Sequence, residues 1–421
     1  MSTRTSLGFF ALVFGGLIAL ATGPAAQVDL PVAKAESVGM SSKRLERVKA
    51  YIQDYIDTNQ IAGAVTLIAR KGKVVHHEAQ GWRDKEANQP MPRDGIFALA
   101  SMTKPIASTA LMMLWEDGTF MLDDPISKWL PSYANKQVLV NGQLVRPARP
   151  VTVRHVLTHT SGLTLTQPGV DLPPAKTLNE LIERAAPYPL RFHPGDSWLY
   201  GDSTDFVGIL VEKISGKSLD QFLGERIFAP LGMHDTFYHV PREKVARVAA
   251  MYRPDDHGKI ALLRKPEYRE APTLIRGTGG LNGTAADYFR FAQMLLNGGE
   301  LNGTRLLGRM TVDMMFANHI GTGKRVYVRG DGYGFGLGGA VLTDPAKAAD
   351  ALSVGTWTWG GANGTIFWID PVEELIPIMM IQITPYSHFN IRPLFSVVAS
   401  QTVVDSLAEQ KPRVMGYQTP K

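Results

Sequence analysis

The stretch Phe97-Ala-Leu-Ala-Ser101-Met-Thr-Lys104-Pro-Ile-Ala-Ser108 decides how the rest of the chain is read. It runs into the apolar segment Ala110-Leu-Met-Met-Leu-Trp115. A serine and a lysine three apart share one face of a helix. Pro105 fits a first helical turn and not a helix interior. The pair is therefore expected at a helix start, with the helix ending near Gly118. A serine hydroxyl holds its proton at neutral pH and needs a base beside it. Lysine is such a base once neutral, and burial and the positive end of a helix both favour the neutral amine. The same spacing also occurs on solvated helix faces. The reading stands only if the chain supplies a proton relay, an oxyanion hole and an acyl pocket.

Composition narrows the classes. The chain has 421 residues, 44% hydrophobic and 20% charged, enough for two or three domains or one large domain with an insertion. The absence of cysteine excludes disulfides, thiolate metal sites, iron-sulfur clusters, a cysteine nucleophile and a cysteine-linked lipid anchor. The net charge of +5 is spread among acids with no long basic run, so nucleic acid is not an expected partner. Residues 1–26 read as a signal peptide: Arg4, then the apolar run Leu7–Ala21, then small residues up to Ala25 and Ala26. That run is shorter than the roughly 20 residues of a membrane span. The expected location is secreted or periplasmic, with no stable membrane insertion after cleavage; an uncleaved anchor is the alternative.

Periodicity suggests a mixed architecture. Ser41 or Ser42 can cap a helix carrying Leu45, Val48, Ile52, Tyr55 and Ile56 on one face. Ala64–Arg70 and Val74-Val75 read as strands around Lys71-Gly72-Lys73, and Val138–Val145 as a small hairpin turning at Asn141-Gly142. Val151–Thr158, Leu178–Ala186, Ser203–Ile214 and Leu219–Phe228 read as helices. Thr284 caps another helix, Thr365–Ile369 and Leu375–Ile383 form a hairpin, and Pro393 starts a last helix reaching Leu407. The expected fold class is α/β (α+β): an antiparallel sheet flanked by helices, with an inserted all-helical domain. Residues 27–120 and 236–421 are assigned to the sheet domain and 121–235 to the helical one.

Several other motifs fail for lack of a required residue. Gly216-Lys217-Ser218 has Val211 where a phosphate loop needs its first glycine, and Gly277-Thr-Gly279 has Asn282 where a dinucleotide fingerprint needs its third. His155 and His159 have the spacing of zinc-protease ligands, but Val156 replaces the catalytic glutamate, so both read as structural and no metal is expected. No G-x-S-x-G occurs, and Ser161 reads as a turn residue. No cofactor is implied. Two stretches remain. Tyr200, in Trp198-Leu-Tyr-Gly-Asp202, lies at a loop-helix junction where a phenol can pass a proton. Trp357-Thr-Trp-Gly-Gly-Ala-Asn-Gly364 precedes a strand, and its glycines let an edge backbone approach a ligand and aim an N–H at an oxyanion, with the Ser101 amide as the other donor.

Ser101-x-x-Lys104, Tyr200-x-Asp202 and Trp359-Gly360-Gly361, in that order, resemble the serine hydrolases of the class C β-lactamase and DD-peptidase superfamily, most closely its esterase branch (family VIII-like carboxylesterases). Leu122-Asp-Asp-Pro, Leu157-Thr-His-Thr-Ser-Gly-Leu163, Pro230-Leu-Gly-Met233 and Gly279–Tyr288 extend the resemblance from about Ser37 to Ser406. It implies Ser101 as nucleophile, Lys104 and Tyr200 as proton relay, and the amides of Ser101 and Ala362 as oxyanion hole. Two departures bear on substrate. Trp359 stands where β-lactamases of this class carry a lysine, which removes a cation for a β-lactam carboxylate and suits an apolar acyl or aryl group. Asp202 stands where the family usually has asparagine. The expected pocket is Trp359, Gly360, Gly361 and Asp202. The expected enzyme is a carboxylesterase of the EC 3.1.1 type acting on small short-chain esters, monomeric by default. The alternatives are a weak β-lactamase, a D-amino-acid peptidase or amidase, and a catalytically silent binding protein.

Overall fold

The structure, a computed structural model, describes Met1 and residues 30–166 and 174–405. The expected signal segment therefore lies outside the described residues, save Met1. Helix α1 (Ser42–Asp57) is capped by Ser41, whose hydroxyl accepts the Arg44 N–H at 3.3 Å, and it buries Leu45, Val48, Ile52 and Tyr55. Strands β1 (Gly63–Arg70) and β2 (Lys73–Asp84) form the expected hairpin, and β3 (Gln89–Pro90) follows on its edge. Helix α2 (Thr103–Glu116) carries the Lys104 segment, α3 (Ser203–Ser215) follows Tyr200, and α4 (Ala285–Leu296) is capped by Thr284. The remaining strands are β4 (Tyr333–Phe335), β5 (Ala340–Leu342), β6 (Trp357–Gly360), β7 (Ile366–Ile369) and β8 (Leu375–Met380), before α5 (Ile391–Ser400).

These strands make one antiparallel sheet in the order β4-β5-β6-β7-β8-β1-β2-β3. β8 pairs with β1, so strands from both ends of the chain meet, with Val65 opposite Met380. Every residue of β1 and of β8 is buried, which requires cover on both faces. α4 packs on β1 and β8, while α1 packs on β2 and against α5. α2 is buried continuously from Thr103 to Leu114 and lies against α3. It is therefore a core helix without a solvated face. The stretch between residues 121 and 235 contributes short helices and the hairpin Val138–Val145. Among the described residues no helix is long and apolar enough to cross a membrane.

Three details differ from the sequence reading. β4 and β5 are three-residue strands among Gly332, Gly334, Gly336, Gly338 and Gly339, so they lack the β-branched alternation that marks a strand. Trp357–Gly360 is itself a strand, and an internal one, paired with β5 on one side and β7 on the other. The last helix begins at Ile391, which places Pro393 inside its first turn, and it ends at Ser400.

Candidate active site

Ser101 lies in a single 3-10 turn, Ala100–Met102, which continues directly into α2. The turn is anchored from both sides. Phe97–Ala98 pairs with Asn282–Gly283, and the Leu99 N–H donates to the Leu281 carbonyl at 2.8 Å. The Tyr288 hydroxyl donates to the Met102 carbonyl at 3.0 Å. Ala100 sits at φ 47°, in the left-handed region where a Cβ is crowded, so the backbone immediately before the serine is strained. That kink turns the chain from strand to helix at the residue that presents Ser101, which is half-buried.

Lys104 is only 4% exposed. Its Nζ donates to Ser101 Oγ at 3.1 Å and to the Thr278 carbonyl at 2.8 Å, and lies 4.8 Å from the centre of the Tyr200 ring. Tyr200 is half-buried. Its backbone N–H donates to the Tyr327 hydroxyl at 3.1 Å, and its own oxygen accepts the Trp359 indole N–H at 3.4 Å. The rings of Tyr200 and Trp359 meet edge to face at 5.1 Å. Trp359 is 3% exposed, so it forms a wall behind Tyr200 and not an open apolar floor.

Asp202 faces the rim. One of its oxygens accepts the Leu165 N–H at 3.0 Å, and the other meets Arg276 at 3.4 Å. Asp205, one turn further along α3, is fully buried and accepts from Arg276, from the Thr278 N–H at 3.0 Å and from the Thr278 hydroxyl at 2.9 Å. Burial works against the Arg276 charge, but Asp205 and then Asp202 outweigh it and push the guanidinium up. Asp205 thus holds the loop whose carbonyl holds Lys104. Sequence reasoning missed Asp205 and Thr278. The traces available to it were the position of Asp205 three beyond Asp202 and the glycine-rich loop opening at Arg276.

The two histidines part company. His155 caps its own short helix, accepting the Thr152 N–H at 3.1 Å. His159, 2% exposed and at φ 57°, packs its ring 5.2 Å from that of Tyr200 and against Trp198 and Phe335. Burial, and then Lys104, pushes its imidazole down to about 3, so it is a neutral plate beside the relay. Ser161 is a buried turn residue bonded to Ser203. Among the described residues no cluster of three or more His, Asp or Glu could hold a metal ion.

On the sheet side, β6 ends in a tight turn. The Gly361 N–H donates to the Thr365 carbonyl at 2.8 Å and the Gly364 N–H to the Gly361 carbonyl at 3.1 Å. Thr365 Oγ1 donates to the Leu99 carbonyl at 3.3 Å, and Asn363 to the Ala98 carbonyl at 3.2 Å. These bonds lay the turn against the backbone leading to Ser101, with Ala362 exposed at its tip. The fold therefore brings Ser101, Lys104 and Tyr200 together, with the Trp359–Ala362 segment laid alongside them and Asp202 two residues beyond Tyr200. This constellation suits acyl transfer: a hydroxyl beside an amine, a phenol above it and a glycine-rich turn alongside.

The chain is also similar to proteins of known family. The Beta-lactamase family model matches residues 48–396. Esterase EstB of Burkholderia gladioli is 32% identical over 364 residues, 79% of this chain and 89% of its own. A lovastatin esterase of Penicillium rubens is 31% identical over 368 residues, 78% of this chain and 91% of its own. The solved structure of EstCE1, described as a hydrolase with promiscuous acyltransferase activity, superposes with a TM-score of 0.73 at 28% identity, covering 86% of this chain and 98% of that one. Nearly the whole folded chain is thus accounted for by one family, and the protein is a serine hydrolase belonging to the Beta-lactamase family, on its esterase branch.

Proposed function

We propose that the protein is a carboxylesterase that cleaves small, neutral, short-chain esters through an acyl-enzyme on Ser101. The observation that carries this reading is the contact of Lys104 with Ser101 at 3.1 Å, with Lys104 buried and held from behind by the Thr278 carbonyl. In its neutral form Lys104 takes the Ser101 proton as Oγ attacks the ester carbonyl. The tetrahedral oxyanion is received by the N–H groups of Ser101 and Ala362. Tyr200 delivers a proton to the departing alcohol, and water then releases the acid by the reverse path. Trp359, whose indole N–H reaches the Tyr200 oxygen, takes the place of a cation there, which favours uncharged esters over β-lactam carboxylates. Acyl transfer to an alcohol is a second outlet of the same intermediate, and the description of EstCE1 supports it. The enzyme acts outside the cytoplasm as a monomer once residues 1–26 are removed.

The test is a chain-length series of p-nitrophenyl esters assayed beside a chromogenic cephalosporin. Short acyl esters should react fastest and the cephalosporin slowly or not at all. Ser101→Ala and Lys104→Ala should each lower kcat by about 10⁴-fold or more, because members of one catalytic unit fail together. Substantial esterase activity in Ser101→Ala would remove the assignment.

A further inference from the structure

Arg392 stands in the first turn of α5, beside Pro393, and is 9% exposed. Its Nη2 donates to the Gly361 carbonyl and, at 2.7 Å, to the Thr365 carbonyl; its Nε donates to the Gly364 carbonyl at 3.3 Å. The guanidinium lies over the Tyr386 ring, its Cζ 3.5 Å from the ring centre. Among the described residues no carboxylate offsets its charge. Burial pushes the group down to about 10, with Arg329 acting in the same direction, so it remains a cation at neutral pH. An unpaired buried cation is costly, and here three backbone carbonyls and a ring face compensate it.

The paired glycines make room for this arrangement. A Cβ on Gly360 would lie 2.9 Å from Arg392 Nη1. A Cβ on Gly361 would lie 2.3 Å from both the Leu99 carbonyl oxygen and Thr365 Oγ1. The strand end therefore admits a guanidinium on one side and the Ser101 segment on the other.

One peptide group joins the two. The carbonyl that Arg392 engages belongs to Gly361, and the N–H of that same amide belongs to Ala362. The carbonyl also accepts the Gly364 N–H at 3.1 Å. Donors at an amide oxygen draw density from the nitrogen and strengthen its N–H as a donor, and a charged donor does so more than a neutral one. We infer that Arg392 is a positioning residue for ester cleavage: it fixes the plane of the Gly361–Ala362 peptide and polarises it, so that the Ala362 N–H meets the developing oxyanion as a stronger, better-aimed donor. This rests on the proposal that Ala362 is an oxyanion donor.

Two kinds of variant separate the steps. The bond from the Gly364 N–H to the Gly361 carbonyl makes Ala362 the second residue of a β-turn, where proline fits. Ala362→Pro replaces the N–H by a ring carbon and should lower kcat by about 10²- to 10³-fold or more. Arg392→Met removes the charge at similar length and should lower kcat about tenfold, with KM changed less than about threefold. A trifluoromethyl ketone, whose adduct with Ser101 carries an oxyanion, should lose affinity in parallel with kcat/KM, which mere loosening of α5 would not produce. Arg392→Lys should recover part of both, and it decides the matter if the methionine variant does not fold. Folded Arg392 variants with wild-type kcat and ketone affinity would overturn the inference while a crippled Ala362→Pro kept the oxyanion reading. An active Ala362→Pro would overturn both.

Discussion

On the helical side of the site Arg276 meets the carboxylates of Asp202 and Asp205, whereas on the sheet side Arg392, among the described residues, meets backbone carbonyls and the face of Tyr386. Both arginines act on the proposed chemistry through intermediaries. Arg276 acts through Asp205 and Thr278 on Lys104, and Arg392 acts through the Gly361–Ala362 peptide. The first charge is neutralised, so its effect is mechanical: it locks the glycine-rich loop to α3. The second is not, so its field remains available to the amide it touches. A paired charge serves geometry, and an unpaired one placed on an amide also serves electrostatics.

The largest effect expected is on acid stability, and it falls on both regions. Burial pushes His155 and His76 down to about 4 and His159 to about 3. Unfolded imidazole takes a proton near 6.5. The stability tied to these neutral rings is whole above about pH 6.5 and is lost as pH falls toward the folded values. Asp287, whose carboxyl burial pushes up to about 6, works the other way, because the folded state then binds its proton more readily. Burial also pushes His77 and His319 down and Glu212 up, so the imidazoles outweigh the carboxyls, and the unfolding free energy from urea titration should drop by a few kcal/mol between pH 7 and pH 5. A flat profile would show that the rings do not stay neutral on folding.

Breaking the neutralised side comes next. Asp205→Ala leaves Arg276 without its main partner and Thr278 without two bonds, and should cost about 3 kcal/mol in urea unfolding. It should also lower kcat, because the carbonyl behind Lys104 is released. A loss of stability with full kcat would detach the loop from the relay. On the sheet side, Gly361→Ala forces a Cβ against backbone and should cost about 1–3 kcal/mol, read as a lowered Tm, with a disproportionate loss of kcat. The smallest effect belongs to Asp202→Asn. Asp202 shares Arg276 with Asp205 at a partly exposed rim, so the change should cost about 0.5–1 kcal/mol and leave kcat within a few-fold. A large loss of kcat there would make Asp202 a part of the chemistry and break the contrast between rim and relay.

What could be read in the sequence follows the range of the interaction. The caps at Ser41 and Thr284, the hairpin at Asn141-Gly142 and the start of α2 at Pro105 are settled within a few residues, and each appears where its local signal stands. β4 and β5 left no such signal, because their glycines yield to close neighbours: a Cβ on Gly334 would strike Asn318 and one on Gly339 would strike Trp357. His159 read as structural because Val156 stands where a zinc protease needs its glutamate, and nothing in that spacing pointed to its spatial neighbours Tyr200 and Lys104.

The sequence alone established that a serine and a lysine share one helical face, that Tyr200 lies just before a helix, and that two glycines follow Trp359, because all three depend on spacing within a turn or two of backbone. What stands behind them came from contacts between distant parts of the chain. Lys104 is held by a carbonyl 174 residues away and the Gly361–Ala362 peptide by a guanidinium 31 residues away. Each contact joins a side-chain cation to a backbone carbonyl, which every residue type carries, so no pattern of side chains along the chain could announce which carbonyl that cation would meet.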